Sequence, residues 1–165
     1  MKRGITVNLL RKPEGRAERC ISFTLLLMIV ATLAFIYINS ILPPDASAAE
    51  SGRVAAFIRS LLPEGNALGD FIVNNLRKIA HFVEFGLLGS LVAAYASLFS
   101  NQRLKTAAIS LALGHAAAFL DETLQIFSGR GPMIADVWID FFGFLTFTLL
   151  VHTAFFIVRR ISENS

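Results

Sequence analysis

The 165-residue chain has one cysteine, five prolines and few charges, with Asp, Glu, Lys and Arg making up only 16%. A soluble domain of this length carries about a quarter charged residues. That deficit, together with fifteen Phe, a 55% hydrophobic share and a mean hydropathy of +0.61, makes lipid the main solvent. The single Cys20 excludes an internal disulfide. It opens an apolar run without metal-ligand spacing and reads as an apolar filler. No internal repeat, low-complexity tract, Gly-rich phosphate loop or strand alternation is present. The net charge of +3 and pI near 9.4 do not call for nucleic acid. The bases sit at the ends of apolar runs, where the positive-inside rule accounts for them. One domain is the natural count.

What the chain does have is apolar runs long enough to cross a membrane. Residues 1–19 form a basic tail with Lys2, Arg3, Arg11, Lys12, Arg16 and Arg19. Residues 20–42 carry no charge and are long enough to cross about 30 Å of hydrocarbon. Ala46-Ser47-Ala48 resembles a signal-peptidase site, but the preceding run exceeds a signal core, which favours a retained span. Residues 43–78 form the long outer connection, opened by the helix-stopping Pro43-Pro44. Within it Val54, Phe57, Ile58, Leu61 and Leu62 recur at helical spacing, predicting a short amphipathic helix at the membrane surface or against the bundle. Pro63, Gly65 and Gly69 break that helix, and Asp70 is placed to cap the next. Further spans are expected over about 79–99, 105–127 and 137–158, joined by turns at 100–103 and 128–132 and ending in Arg159-Arg160. The expected fold is therefore all-α: a polytopic bundle of four transmembrane helices with an interfacial helix in the outer loop. Ten Lys and Arg fall on the side of the termini and five on the other. This bias predicts cytoplasmic tails at 1–19 and 159–165 in a bacterial cytoplasmic membrane.

Ionisable residues gather at the outward ends of the last three spans. His81 and Glu84 open the second, Asp121, Glu122 and Gln125 close the third, and Asp136 and Asp140 open the fourth. At 1.5 Å per residue, Glu84, Asp121 and Asp140 lie roughly 6–9 Å below the boundary. Lys78, His81 and Glu84 step by three and share a broad face, and Asp136 and Asp140 stack four apart. A charge facing lipid at that depth costs several kcal/mol, so these groups point inward and pair. Their polar convergence has a structural reading, as glue between helices, and a functional one, as a pocket. An excess of acids over bases is a poor recipe for stability alone and favours the pocket. Arg130, in a Gly-rich turn, suits an anionic ligand or serves as an interfacial anchor. His81 and Glu84 read as a ligand pair or as an acid/base pair, and the metal question stays open. His115 either extends the polar track inward or bonds a neighbouring helix, and His152 falls outside the site. Gly86, Gly89, Gly114 and Gly143 read as close-packing positions, and Trp138 as an interfacial anchor.

The run Lys78-Ile79-Ala80-His81-Phe82-Val83-Glu84-Phe85 resembles the K-x-x-H-F-x-E-Y signature of the VanZ-like family. Asp121-Glu122-Thr123-Leu124-Gln125-Ile126-Phe127, followed by Gly129-Arg130 and Asp136, is similar to that family's D-E-x-x-Q-x-F block, and Gly143 matches the small residue beyond it. The resemblance covers about residues 78–150, the greater part of an expected three-helix core at 79–158. Phe85 stands where a Tyr is usual and Asp140 where Asn is more frequent. The family takes its name from an accessory protein of low-level teicoplanin resistance, and most members have no assigned activity. The resemblance implies a cell-envelope membrane protein and supplies neither a reaction nor a cofactor.

Three functions compete. With no nucleophile beside a dedicated base, the first is non-enzymatic binding of an envelope lipid, glycolipid, peptidoglycan precursor or glycopeptide-type ligand. Lys78, Asp121, Gln125, Arg130, Asp136 and Asp140 would form its binding site. The second is a hydrolase or transferase acting on an outer-leaflet phospholipid or polyprenyl-linked precursor. His81, Glu84 and Glu122 would be catalytic, Arg130 and Lys78 would clamp the anion, and a divalent metal on the acids is a variant of it. The third is a small transporter whose path continues through His115.

Overall fold

A computed structural model describes residues 9–62, 65–131 and 133–164, apart from the side chain of Arg103. The architecture is all-α, with α1 (Gly15–Ile41), α2 (Pro44–Leu61), α3 (Ala67–Asn74), α4 (Leu76–Phe99), α5 (Arg103–Phe127) and α6 (Ile134–Glu163). Among the described residues no strand forms beyond an isolated bridge between Leu10 and Ser100. Among the described residues three helices, α1, α4 and α6, are both long and apolar enough to cross a membrane. At 25 residues α5 has the length, but Lys105, His115, Asp121 and Glu122 lower its apolar character.

The connection between α1 and α4 holds more helix than expected. α2 begins at Pro44, running through Ala46–Ala48, and extends 18 residues. Proline suits this first turn because its missing N–H would have no helical partner there. The cap of the next element is Asn66 rather than Asp70: the Asn66 side chain accepts from the Leu68 and Gly69 amides, which starts α3 one residue later and leaves Asp70 inside its first turn. α4 then starts at Leu76, three residues before the expected Ile79.

α4 and α6 form the most extensive helix pair, and α1 and α5 pack around them. Glycine sets how close the central pair comes. A Cβ on Gly89 would collide with the Phe144 carbonyl oxygen, and one on Gly143 with the Phe82 carbonyl oxygen. A Cβ on Gly114 would lie 2.6 Å from the Phe144 ring. Small residues let backbones approach where lipid tails give helices no hydrophobic reason to associate. Thr148 Oγ1 reinforces the contact by donating to the Gly89 carbonyl at 3.2 Å. Ile36, Phe85, Leu88, Ala118 and Phe144 form the buried apolar centre.

The first helix is inverted relative to a water-soluble one. It buries Ser22, Thr32, Ile36 and Ser40 while exposing Phe23, Leu27, Val30 and Ile38. Large exposed side chains continue along Leu113, Leu149, Leu150, Phe156 and Val158. Polar groups turn inward and apolar groups outward when the surrounding solvent is hydrocarbon.

Side-chain contacts fix the helix directions. Ser40 near the end of α1 meets Asp121 near the end of α5, and His81 early in α4 meets Asp140 early in α6. α1 and α5 therefore run one way and α4 and α6 the other. Three acid-bearing segments converge at one end of the bundle.

Candidate functional site

The site grows from helix ends. α5 stops in a Schellman motif: Gly129 adopts φ 76, its amide donates to the Ile126 carbonyl at 3.2 Å, and the Arg130 amide donates to the Gln125 carbonyl at 3.0 Å. Glycine supplies the left-handed conformation without a Cβ penalty. The turn throws Arg130 back toward α1, where Nη1 donates to the Asn39 carbonyl at 3.0 Å. Burial, with the nearby Arg77 guanidinium, holds the Arg130 pKa below its ordinary value.

Asp121, Gln125 and Asp140 are fully buried, and Glu122 and Asp136 nearly so. His81 Nδ1 lies 3.1 Å from Asp140 Oδ1 and 3.6 Å from Asp121 Oδ2. Gln125 Nε2 donates to Asp121 Oδ2 at 2.9 Å and to Glu122 Oε1 at 2.8 Å. These bonds follow from helical spacing, since Gln125 is four residues from Asp121 and three from Glu122. Ser40 Oγ donates to Asp121 Oδ1, and Arg77 Nη2 donates to Gln125 Oε1. The Met133 amide donates to Glu122 Oε2 at 3.0 Å, tying the α5–α6 turn to the cluster. Among the described residues two buried side-chain oxygens have no hydrogen-bond partner, Asp136 Oδ1 and Asp140 Oδ2.

Beside this cluster is a cavity of about 170 Å³ between α1, α2 and α4. Arg77, His81, Glu84, Glu50 and Arg130 supply its charged wall, and Phe35, Ile36, Leu42 and Val54 its apolar one. His81 belongs to both cavity and cluster.

The candidates divide accordingly. His81, Asp121, Glu122, Gln125 and Asp140 form one bonded group. Glu84 and Arg130 line the cavity. Asp136 is buried in the first turn of α6. Lys78 is exposed and is absent from the cavity wall. Its neighbour Arg77 makes the contacts instead. At about 100° per residue, Arg77, His81 and Glu84 span about 60° of arc, while Lys78, His81 and Glu84 span about 120°. That narrower stripe is the signal that points to Arg77. Ser40 and the Met133 amide carried no comparable signal.

His115 is exposed and packs its ring against Trp138 at 5.8 Å and Phe141 at 5.0 Å. His152 lies at the opposite end, its Nδ1 3.0 Å from Ser97 Oγ.

A family model described as VanZ/LLP1 matches residues 23–157, from early α1 to late in α6. No curated protein and no solved structure matches the chain. The match takes in every acid of the cluster, the glycines of the α4–α6 contact and most of the inverted first helix. This all-α, membrane-type chain belongs to the VanZ/LLP1 family.

Proposed function

We propose that this protein binds the headgroup of an envelope lipid or glycolipid, peptidoglycan precursors included, in a pocket facing away from the cytoplasm. In this reading α1, α4, α5 and α6 cross the bacterial cytoplasmic membrane, both termini are cytoplasmic, and α2 and α3 lie at the outer interface. The ten-to-five bias of bases supports the orientation. Exposed Val54, Phe57 and Leu61 on α2, with Leu68 and Phe71 on α3, support the interfacial placement.

The observation that carries the proposal is the composition of the cavity. Two guanidinium groups, Arg77 and Arg130, share a wall with Glu50, Glu84 and His81, and apolar side chains of α1 and α2 close the other side. Such a site takes an anionic or zwitterionic group attached to an apolar tail. About 170 Å³ suits a headgroup rather than a whole lipid, which leaves the chains along the exposed apolar helix faces. Lipid mass spectrometry of the purified protein tests it. Wild type is expected to retain an anionic or glycosylated lipid that the Arg77→Gln/Arg130→Gln double variant loses. Equal lipid retention by both would refute it.

A second reading, an enzyme acting on that lipid, draws support from His81, which contacts Asp140 while lining the cavity near Glu84. A histidine held by a carboxylate serves as a proton shuttle. Altered envelope lipids in a Glu84→Gln strain that still retains lipid in the pocket would favour it; an unchanged profile would favour binding. The aromatic setting of His115 supports binding over a through-path.

A further inference from the structure

The geometry points to a divalent transition-metal site, for Zn²⁺ or Mn²⁺, formed by His81, Asp121, Glu122 and Asp140. One ligand atom from each of these four lies within 4.8 Å of every other. Ligands about 2.0–2.2 Å from a tetrahedral ion are about 3.4 Å apart. The separations from His81 Nδ1 to Asp140 and Asp121, 3.1 and 3.6 Å, bracket that edge.

A second observation is independent of the clustering. Asp140 is fully buried, yet its Oδ2 has no hydrogen-bond partner. An orphaned carboxylate oxygen at a buried position carries a desolvation penalty that a bound cation removes. Three carboxylates and a neutral imidazole around a divalent ion sum to one negative charge, which the nearby guanidinium groups of Arg77 and Arg130 offset. Without the ion, the same acids crowd together where unpaired charge is most costly.

The surroundings have the form of an outer coordination sphere. Ser40 and Gln125 donate to the two oxygens of Asp121, and Gln125 and the Met133 amide donate to those of Glu122. Such bonds orient carboxylate ligands and leave lone pairs aimed at a metal. The single imidazole selects a first-row transition ion over Mg²⁺ or Ca²⁺, which prefer oxygen alone. Arg77 contacts Gln125, so the metal assembly adjoins the cavity without depending on a lipid being there.

The test is metal analysis of full-length protein purified in detergent without a polyhistidine tag, stripped with chelator and dialysed against Zn²⁺ or Mn²⁺. Wild type is expected to retain about one ion per chain. Asp140→Asn and His81→Gln are expected to retain less than about a tenth of that, in keeping with the loss of a direct ligand. X-ray absorption on the wild type is expected to give a nitrogen and oxygen shell at about 2.0–2.2 Å with imidazole scattering. Negligible metal in folded wild type, undiminished metal in both variants, or a shell without histidine would each overturn the site. If the variants do not fold, the wild-type stoichiometry and shell decide alone. Metal retained without lipid would refute the headgroup reading while leaving the metal site standing.

Discussion

At one end of the bundle the N-terminal turns of α4 and α6 hold His81, Asp136 and Asp140 against Asp121 and Glu122 of α5. At the other end the C-terminal turns of the same two helices meet bases. Arg159 Nη2 donates to the Ser97 carbonyl at 2.7 Å, and the Arg11 amide donates to the Phe99 carbonyl at 2.8 Å, with the Arg11 guanidinium 5.2 Å from the centre of the Phe99 ring. Only α6 among these helices follows the helix dipole, with Asp136 in its first turn and Arg160 in its last, whereas Asp121 and Glu122 near the C-terminal end of α5 oppose it. The two ends differ in how the charge is held. The basic end uses backbone carbonyls and partly exposed side chains, whereas the acidic end buries carboxylates and leaves two oxygens unsatisfied. Helix stability does not require that second arrangement, so the acidic end is where local stability gives way to a site.

The largest expected effect comes from the contact that holds the acidic end together. Gly143→Leu drives a side chain into the Phe82 carbonyl, backbone that has no rotamer by which to retreat. A loss of at least about 4 kcal/mol, enough to prevent folding, is expected in detergent unfolding assays. Because Phe82 adjoins His81, the same wedge separates His81 from Asp140. A Gly143→Leu protein as stable as wild type would remove the α4–α6 contact as the organiser of the site. Next comes Asp140→Leu, which strips His81 of its nearest carboxylate and is expected to cost about 3 kcal/mol by the same assay. Gln125→Leu removes the amide that Asp121, Glu122 and Arg77 share, with an expected loss of about 2 kcal/mol.

Much of this end is legible in the sequence, because the acids, His81 and Gln125 recur at helical spacing near the ends of apolar runs. The close approaches at Gly89, Gly114 and Gly143 were legible for the same reason, as small residues inside spans. Other features depend on tertiary structure. Ser40 looks like a hydroxyl bonded to its own helix, and its Oγ does lie 3.0 Å from the Ile36 carbonyl, its one proton shared between that oxygen and Asp121. Its second bond reaches Asp121, 81 residues away, and no periodicity encodes that. The length of α2 was obscured because only its last two turns carry an apolar pattern. The choice of Asn66 over Asp70 as a cap rests on backbone angles that both residue types accept.

At the basic end, losses should be smaller. Arg159→Met removes one donor from a helix-terminal carbonyl within reach of water, for an expected loss of about 1 kcal/mol. Smallest of all is Arg11→Gln. Arg11 holds Glu18 through two hydrogen bonds of 2.7 and 2.9 Å, but both side chains are 37% exposed. Water competes for such a pair, and the backbone bonds from residues 9 and 11 to the α4–α5 turn do not involve the guanidinium. A loss below that of Arg159→Met is expected, shrinking toward zero near 1 M salt, where screening acts within about 3 Å. Asp140→Leu, deep in the bundle, should show no such salt response. Unfolding both variants at low and high salt tests the contrast between the ends directly. An Arg11→Gln loss that matched Asp140→Leu and persisted in salt would mean that both ends bury their charges alike, and the acidic end would no longer stand out as the costly one.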